Sequence, residues 1–199
     1  MTKTSAQNVR DPQGAAMRRN YEQYGIQGYY TVNGHRYRNL HEPQIAALLP
    51  SAIARWQPDL SAVLDLACGS GEVTLLLRTL GCGTITGADP YTGDAYLART
   101  GQRAEPVSFE DIASGALENR RFSLIICSFA LHLLAPSRLP VVVFQLSRCT
   151  RGLIVVTPHK RPEIHGKWGW RLVEELRGEG LRVRYYHSTT LRTDGGLDQ

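Results

Sequence analysis

VLDLACGSGEVTLLL, Val63 to Leu77, decides how the rest of the chain is read. A short apolar run, Ala62 to Leu66, has the composition of a buried parallel strand. A glycine turn follows, Gly69-Ser70-Gly71, and Val73, Leu75, Leu76, Leu77 and Leu80 continue as an apolar helix. Strand, turn and helix make half of a βαβ unit, with a nucleotide-like ligand expected at the turn. A full dinucleotide fingerprint has a third glycine for close helix packing. Thr74 stands there, three residues after Gly71. Asp65 lies inside the strand, just ahead of the glycines. A carboxylate there repels a pyrophosphate and suits a ligand with a cationic or hydroxyl-rich end. The plain alternative is an ordinary βα turn whose glycines serve geometry alone.

The run D-L-A-C-G-S-G, Asp65 to Gly71, resembles motif I of the class I S-adenosylmethionine-dependent methyltransferases, D-x-x-x-G-x-G. The resemblance covers about residues 60–190, and motif I is its specific part. It implies a Rossmann-like, doubly wound α/β sheet, mostly parallel, of order 3-2-1-4-5 with one further strand at the edge. It also implies that Ala67, Gly69 and Gly71 let the backbone approach the methionine part of S-adenosyl-L-methionine while Asp65 organises the loop.

Length and composition agree with one soluble domain. The chain has 199 residues, 42% hydrophobic and 21% charged. No apolar run approaches the roughly 20 residues of a membrane span, so no membrane partner is expected. The first residues, MTKTSAQNVRDPQG, lack the apolar core of a secretory signal. Cys68, Cys82, Cys127 and Cys149 are scattered without C-x-x-C spacing. They suggest neither a metal site nor disulfides, and they fit a reducing, cytoplasmic compartment. The net charge of +5 is unevenly placed: residues 147–193 hold ten basic and four acidic groups. That third either faces an acidic substrate or nucleic acid, or is simply solvated surface.

Taken in order, residues 1–20 read as a polar tail. Residues 21–59 form a flap and helical segment, 60–193 the methyltransferase domain and 194–199 a second tail. The flap, YEQYGIQGYYTVNGHRYRNLH, is punctuated by glycine and rich in tyrosine. It is either a packing arm or, as the resemblance implies, a cover for the cofactor that helps form the acceptor pocket. Tyr30, Tyr37, Asn39 and His41 are its candidate acceptor contacts. A helix opens at Glu42-Pro43, with a kink or break expected at Pro50.

Thr84 to Ala88 is a second strand ending in Asp89-Pro90. Asp89 stands near the spacing at which a carboxylate meets ribose hydroxyls; capping the next helix is the other reading. Pro106 to Phe109 is a third short strand. The resemblance places an adenine-binding carboxylate and an apolar neighbour after it, matched by Asp111 and Ile112, with Glu110 a rival and a helix cap the alternative. Phe122 to Cys127 is the strongest strand signal, and its end, Ser128-Phe129-Ala130-Leu131-His132, falls at the cofactor edge. Ser128 is a candidate cofactor contact and Phe129 a candidate acceptor contact. His132 either orients the acceptor, acts as a base, or is a structural hydrogen-bond partner.

Ser137 to Thr150 reads as an amphipathic helix and Leu153 to Thr157 as a fifth strand. A loop follows, TPHKRPEIHGKWGW, where His159 is a candidate base. Trp168 there either selects the acceptor or staples the following element. Arg171 to Glu179 is expected as a helix ended by Gly180, and Leu181 to Thr190 as an exposed or edge strand. On that reading the sheet lacks its last, antiparallel strand. The expected function is methyl transfer to O, N or S of a small molecule. RNA or protein methylation is the alternative, suggested by the basic third. A non-catalytic cofactor-binding or partner subunit is a further one, suggested by the missing strand.

Overall fold

The structure, a computed structural model, describes residues 34–191. Tyr30 and the two tails lie outside the described residues. Six strands form one sheet, β1 (Ala62–Leu66), β2 (Thr84–Ala88), β3 (Phe122–Ser128), β4 (Thr150–Thr157), β5 (Trp170–Gly178) and β6 (Leu181–Ser188), in the order β2-β1-β3-β4-β6-β5. The pairs β1–β2, β1–β3 and β3–β4 are parallel; β6 is antiparallel to both β4 and β5. The order reverses between β1 and β3, which opens the crevice at their carboxyl ends.

The strands in the middle read as unbroken apolar runs because both faces are covered. On one face, Val63, Leu124, Ile126, Ile154 and Val156 pack against Ile45, Leu49 and Ile53 of α1 (Glu42–Trp56) and Val73 and Leu77 of α2 (Glu72–Thr79). On the other, Leu64, Leu66, Ile125, Leu153 and Val155 pack against Ile112 of α4 (Phe109–Ala113) and Val142, Val143 and Leu146 of α5 (Leu139–Ser147). Burying each such side chain contributes about 1.5–3 kcal/mol, so this two-sided core holds the strand ends in place. The helix α3 (Gly93–Thr100) sets Tyr96 against Gly87 of β2, where a Cβ would come within 2.4 Å of the ring.

Five expectations change. The helix α1 runs unbroken through Pro50. Pro106 to Phe109 is not a strand: Glu105 makes one parallel bridge to Ala88, and Ser108 then starts α4 with a capping box closed by Asp111. Arg171 to Glu179 is not a helix but most of β5. The two turn residues after it, Glu179 (φ 53°) and Gly180 (φ 74°), are both left-handed, the backbone of a tight hairpin. The hairpin returns β6 into the gap beside β4, so the antiparallel strand expected to be missing is present. Leu181 to Ser188 is therefore not an exposed or edge strand: β6 is paired on both sides and largely buried.

Candidate active site

The site is built where β1 turns into α2. Ala67 (φ 56°), Gly69 (φ 55°) and Gly71 (φ 88°) are all left-handed within five residues, so the loop doubles back tightly over the strand end. At both glycines a side chain is excluded by contact as well. A Cβ on Gly69 would lie 2.8 Å from the Tyr37 ring, and one on Gly71 would lie 2.5 Å from the Thr100 methyl.

Asp65 fixes this loop from below. It is 1% exposed, and its Oδ2 accepts from the Thr74 amide (3.0 Å) and hydroxyl (2.7 Å). The Thr74 hydroxyl also meets the Tyr96 phenol at 3.0 Å. Thr74, where a third glycine would stand, is thus the anchor of the helix start. Burial pushes the Asp65 carboxyl up to about 7; the Thr74 hydroxyl works against it, and the Glu72 charge adds to it.

Asp89 fixes the loop from the side. One carboxylate oxygen accepts from the amides of Tyr91 (2.8 Å) and Thr92 (3.1 Å), the other from the amide of Gly69 (3.3 Å). Burial raises its pKa, opposed by these bonds. The second oxygen keeps acceptor capacity for a hydroxyl.

A cavity of about 300 Å³ opens between these loops. Ala67, Gly69, Asp89, Pro90, Ser128 and Phe129 line it, as does Tyr37. Val107, Phe109, Leu133 and Leu134 give it apolar walls. A small annex, lined by Asn39, Asp65, Glu72 and Ser128, extends it toward the start of α2. One buried hydroxyl on the wall, Ser128 Oγ, has no hydrogen-bond partner among the described residues, and the Thr92 hydroxyl beside it faces the Asp89 carboxylate. Apolar walls with a few polar atoms suit a ligand that carries a flat apolar part and several hydroxyl or amino groups.

The segment 37–41 crosses above the cavity. The Tyr37 ring covers Gly69, the Asn39 amide donates to Glu72 (3.2 Å), and His41 stacks on Phe129 at 4.7 Å and 14°. Phe129 is itself left-handed (φ 56°), a strain of the kind that collects at functional sites. Arg99 ties this roof to the loop: it pairs with Glu42 of α1 (2.6 Å) and with Glu72 (3.2 Å).

Other candidates fall elsewhere. Asp111 is exposed and holds the Ser108 amide (2.9 Å) and hydroxyl (2.6 Å); it does not line the cavity. Ile112 is wholly buried in the core. Glu110 lines the cavity but pairs with Arg138. His132 and His159 meet edge to face at 4.9 Å beside the cavity, next to the lining residue Leu133. Trp168 meets His165 and packs on the core, and Trp170 is buried with its indole N–H on Val143 O (2.6 Å). Thr92, Val107 and Phe109 line the cavity without having been singled out. Thr92 carries a readable signal, since Asp-Pro-x-Thr favours a turn closed by the aspartate.

The sequence matches the family model described as a methyltransferase domain over residues 35–194. The chain belongs to the class I S-adenosylmethionine-dependent methyltransferases. A relative of this methyltransferase, an uncharacterized protein of Schizosaccharomyces pombe, is 36% identical over 197 residues, spanning 78% of this chain and 79% of its own. The fold resembles that of magnesium protoporphyrin IX methyltransferase from Synechocystis PCC 6803, solved with bound S-adenosylmethionine (TM-score 0.54, 16% identity, 91% of this chain and 99% of that one). It also resembles the N-methyltransferase NodS from Bradyrhizobium japonicum, solved with S-adenosylhomocysteine (TM-score 0.57, 14% identity, 75% and 88%). The methyltransferase cavity, with the Asp89 carboxylate, the unmet Ser128 hydroxyl and apolar walls, fits S-adenosylmethionine, the cofactor of the family. No helix among the described residues is long and apolar enough to cross a membrane.

Proposed function

We propose that this methyltransferase acts on a small molecule, at O, N or S. The observation that supports it is the roof. Tyr37, Asn39 and His41 lie across the loop and end on Phe129, so an acceptor enters past a narrow aromatic strip. A polymer would ask for an open track instead.

Within that reading, Ala67, Gly69 and Ser128 hold the methionine end of the cofactor; Gly71, packed against Thr100 and Tyr96 and outside the lining, shapes the loop that Asp65 positions. Asp89 holds the ribose, and Pro90, Val107 and Phe109 hold the base; Asp111 acts only by fixing Ser108. The cofactor supplies an electrophilic methyl group on a sulfonium. The chain's own work is chiefly to position the acceptor. Tyr37, His41 and Phe129 form its wall. Where the acceptor arrives protonated, His132 takes the proton: its Nδ1 is buried without a partner, and burial, helped by His159, lowers its pKa to about 4, so it is neutral near pH 7.

The basic third favours RNA or protein as a second reading. Arg177, Arg182 and Arg184 nevertheless converge on one carboxylate, Glu175, rather than spreading along a face. The partner-subunit reading loses its motive, because the strand it rested on is present.

The test combines calorimetry and label transfer. S-adenosylhomocysteine is expected to bind, and Asp89→Ala to weaken it at least about tenfold. Transfer of a labelled methyl group is then followed with a panel of phenols, amines, thiols and carboxylates against total RNA and protein. Label in a low-molecular-weight product supports the proposal, and label confined to RNA or protein refutes it.

A further inference from the structure

Four of the ten cations in residues 147–193 gather in one place. β5, β6 and the loop after β4 enclose a groove of about 600 Å³, separate from the donor cavity. Lys160, Arg177, Arg182 and Arg184 line it, with Glu163 and Glu175 between them, an excess of two positive charges. Its floor is apolar: Ile164 and Tyr186 are buried, and Leu172 is 49% exposed. The sheet stays open here because β4 connects to β5 through a loop with a single 3₁₀ turn, Gly166–Trp168, and not through a full covering helix.

The groove is built around a rigid strut. Arg184 is only 6% exposed, and its guanidinium donates to Glu175 and to the carbonyls of Pro162 (2.8 Å) and Lys160 (2.7 Å). These bonds hold the loop against the sheet and fix the groove's wall. Glu175 also accepts from Arg177 and from Arg182 (2.9 Å). One carboxylate cannot satisfy three guanidinium groups, each with five N–H donors. The remaining donors of Arg177 and Arg182, and the Lys160 ammonium, have no protein acceptor among the described residues. Planar guanidinium pairs of this kind recognise carboxylate and phosphate oxygens.

We propose that this groove holds the anionic end of the acceptor, a carboxylate or phosphate, with the apolar body of the acceptor against Leu172 and Tyr186. The proposal rests on the small-molecule reading above. Two touching histidines link the groove to the donor site. Lys160 lines the groove and follows His159; Leu133 lines the donor cavity and follows His132; the two imidazoles are in contact. An acceptor anchored by Lys160 extends toward the donor past the His132–His159 contact. These four cations sit in one concavity, as a single small anion requires.

The test uses pairs of acceptors that differ only in bearing a carboxylate or phosphate against an amide or hydroxyl. In an Arg177→Gln/Arg182→Gln double variant, KM for the anionic member is expected to rise about tenfold or more. Its kcat, the neutral member's KM and the affinity for S-adenosylhomocysteine should stay within about twofold. Lys160→Gln should shift KM in the same direction; this side chain is exposed and outside the Glu175 network, so the result does not depend on folding of the double variant. Phenyl phosphate is titrated in parallel. Its binding should weaken with rising salt and be lost in the double variant. Phenyl phosphate binding that is absent from the wild type or indifferent to both variants overturns the groove and leaves the small-molecule reading standing. So does equal use of neutral and anionic acceptors. Label found only in RNA or protein overturns that reading, and the groove's role with it.

Discussion

The buried carboxylate of Asp65 accepts both the amide and the hydroxyl hydrogen of Thr74, nine residues on, and so clamps the start of α2 to the end of β1. Its pKa of about 7 in the folded chain lies above the value near 3.9 of an unfolded chain. Asp65 therefore binds its proton more tightly when folded. The stability this contributes is complete below the unfolded value and is lost as pH rises through about 7, at up to about 1.4 kcal/mol per pH unit. Urea unfolding of the cofactor-free protein between pH 4 and 8 should show that decline, and Asp65→Asn should flatten it. A variant with the same pH dependence as the wild type excludes this origin.

The two glycines of the loop should fail differently. Gly71→Ala presses a methyl into Thr100 and the buried Tyr96 ring at a left-handed backbone position, and is expected to cost about 3 kcal/mol. Gly69→Ala meets a single side chain of the roof, the Tyr37 ring at 2.8 Å, rather than buried core, so about 1–2 kcal/mol, mostly backbone strain, is expected. Its larger effect should be on S-adenosylhomocysteine binding, since the roof is displaced. Thermal melts and calorimetry on both variants compare the two; equal melting losses contradict the contact argument.

Arg99 is the cation that makes a buried Glu72 tolerable. Glu72 is 7% exposed and also accepts from Ser70 and from the Asn39 amide. Arg99→Met leaves that carboxylate uncompensated, and about 3 kcal/mol of destabilisation is expected. Glu42→Gln removes the other, more exposed arm of the bridge and should cost less than about 1 kcal/mol. Denaturant titration of the two variants gives the ranking.

If His132 is the proton acceptor, its depressed pKa moves the acid limb of kcat. The midpoint should lie nearer 4 than 6.5, with rate independent of His132 titration from pH 6 to 8. His132→Gln should lower kcat about a hundredfold for a protonated acceptor and leave S-adenosylhomocysteine affinity unchanged. A variant with wild-type kcat assigns His132 to structure alone.

The loop of the candidate donor site is legible in the sequence because it is local. Asp65, the glycines and Asp89 lie at fixed offsets within one βαβ unit, and each residue type answers a demand of that unit: a tight turn, a buried acceptor, a capped loop. Asp111 was misplaced because a capping box uses the same Ser-x-x-Asp spacing that, after a strand, suggests a ligand contact. The apolar lining residues carry no signal beyond hydrophobicity, so only their placement marks them.

The edge of the sheet was not readable for a different reason. Leu172, Val173 and Leu176 repeat at a helical interval, yet the segment is a strand. Glu174 reaches Arg55 and Trp56 on one face, while Glu175 gathers three arginines on the other. That two-sided alternation depends on partners far away in the chain and is invisible in the local pattern. The sequence by itself determined the strand–turn–helix and its acidic companions, because their geometry is imposed by neighbours a few bonds apart. Only the tertiary structure decided that β6 fills the gap beside β4, that His41 lies on Phe129, and that the basic third closes into a groove. Each of those depends on long-range pairing that no short stretch encodes.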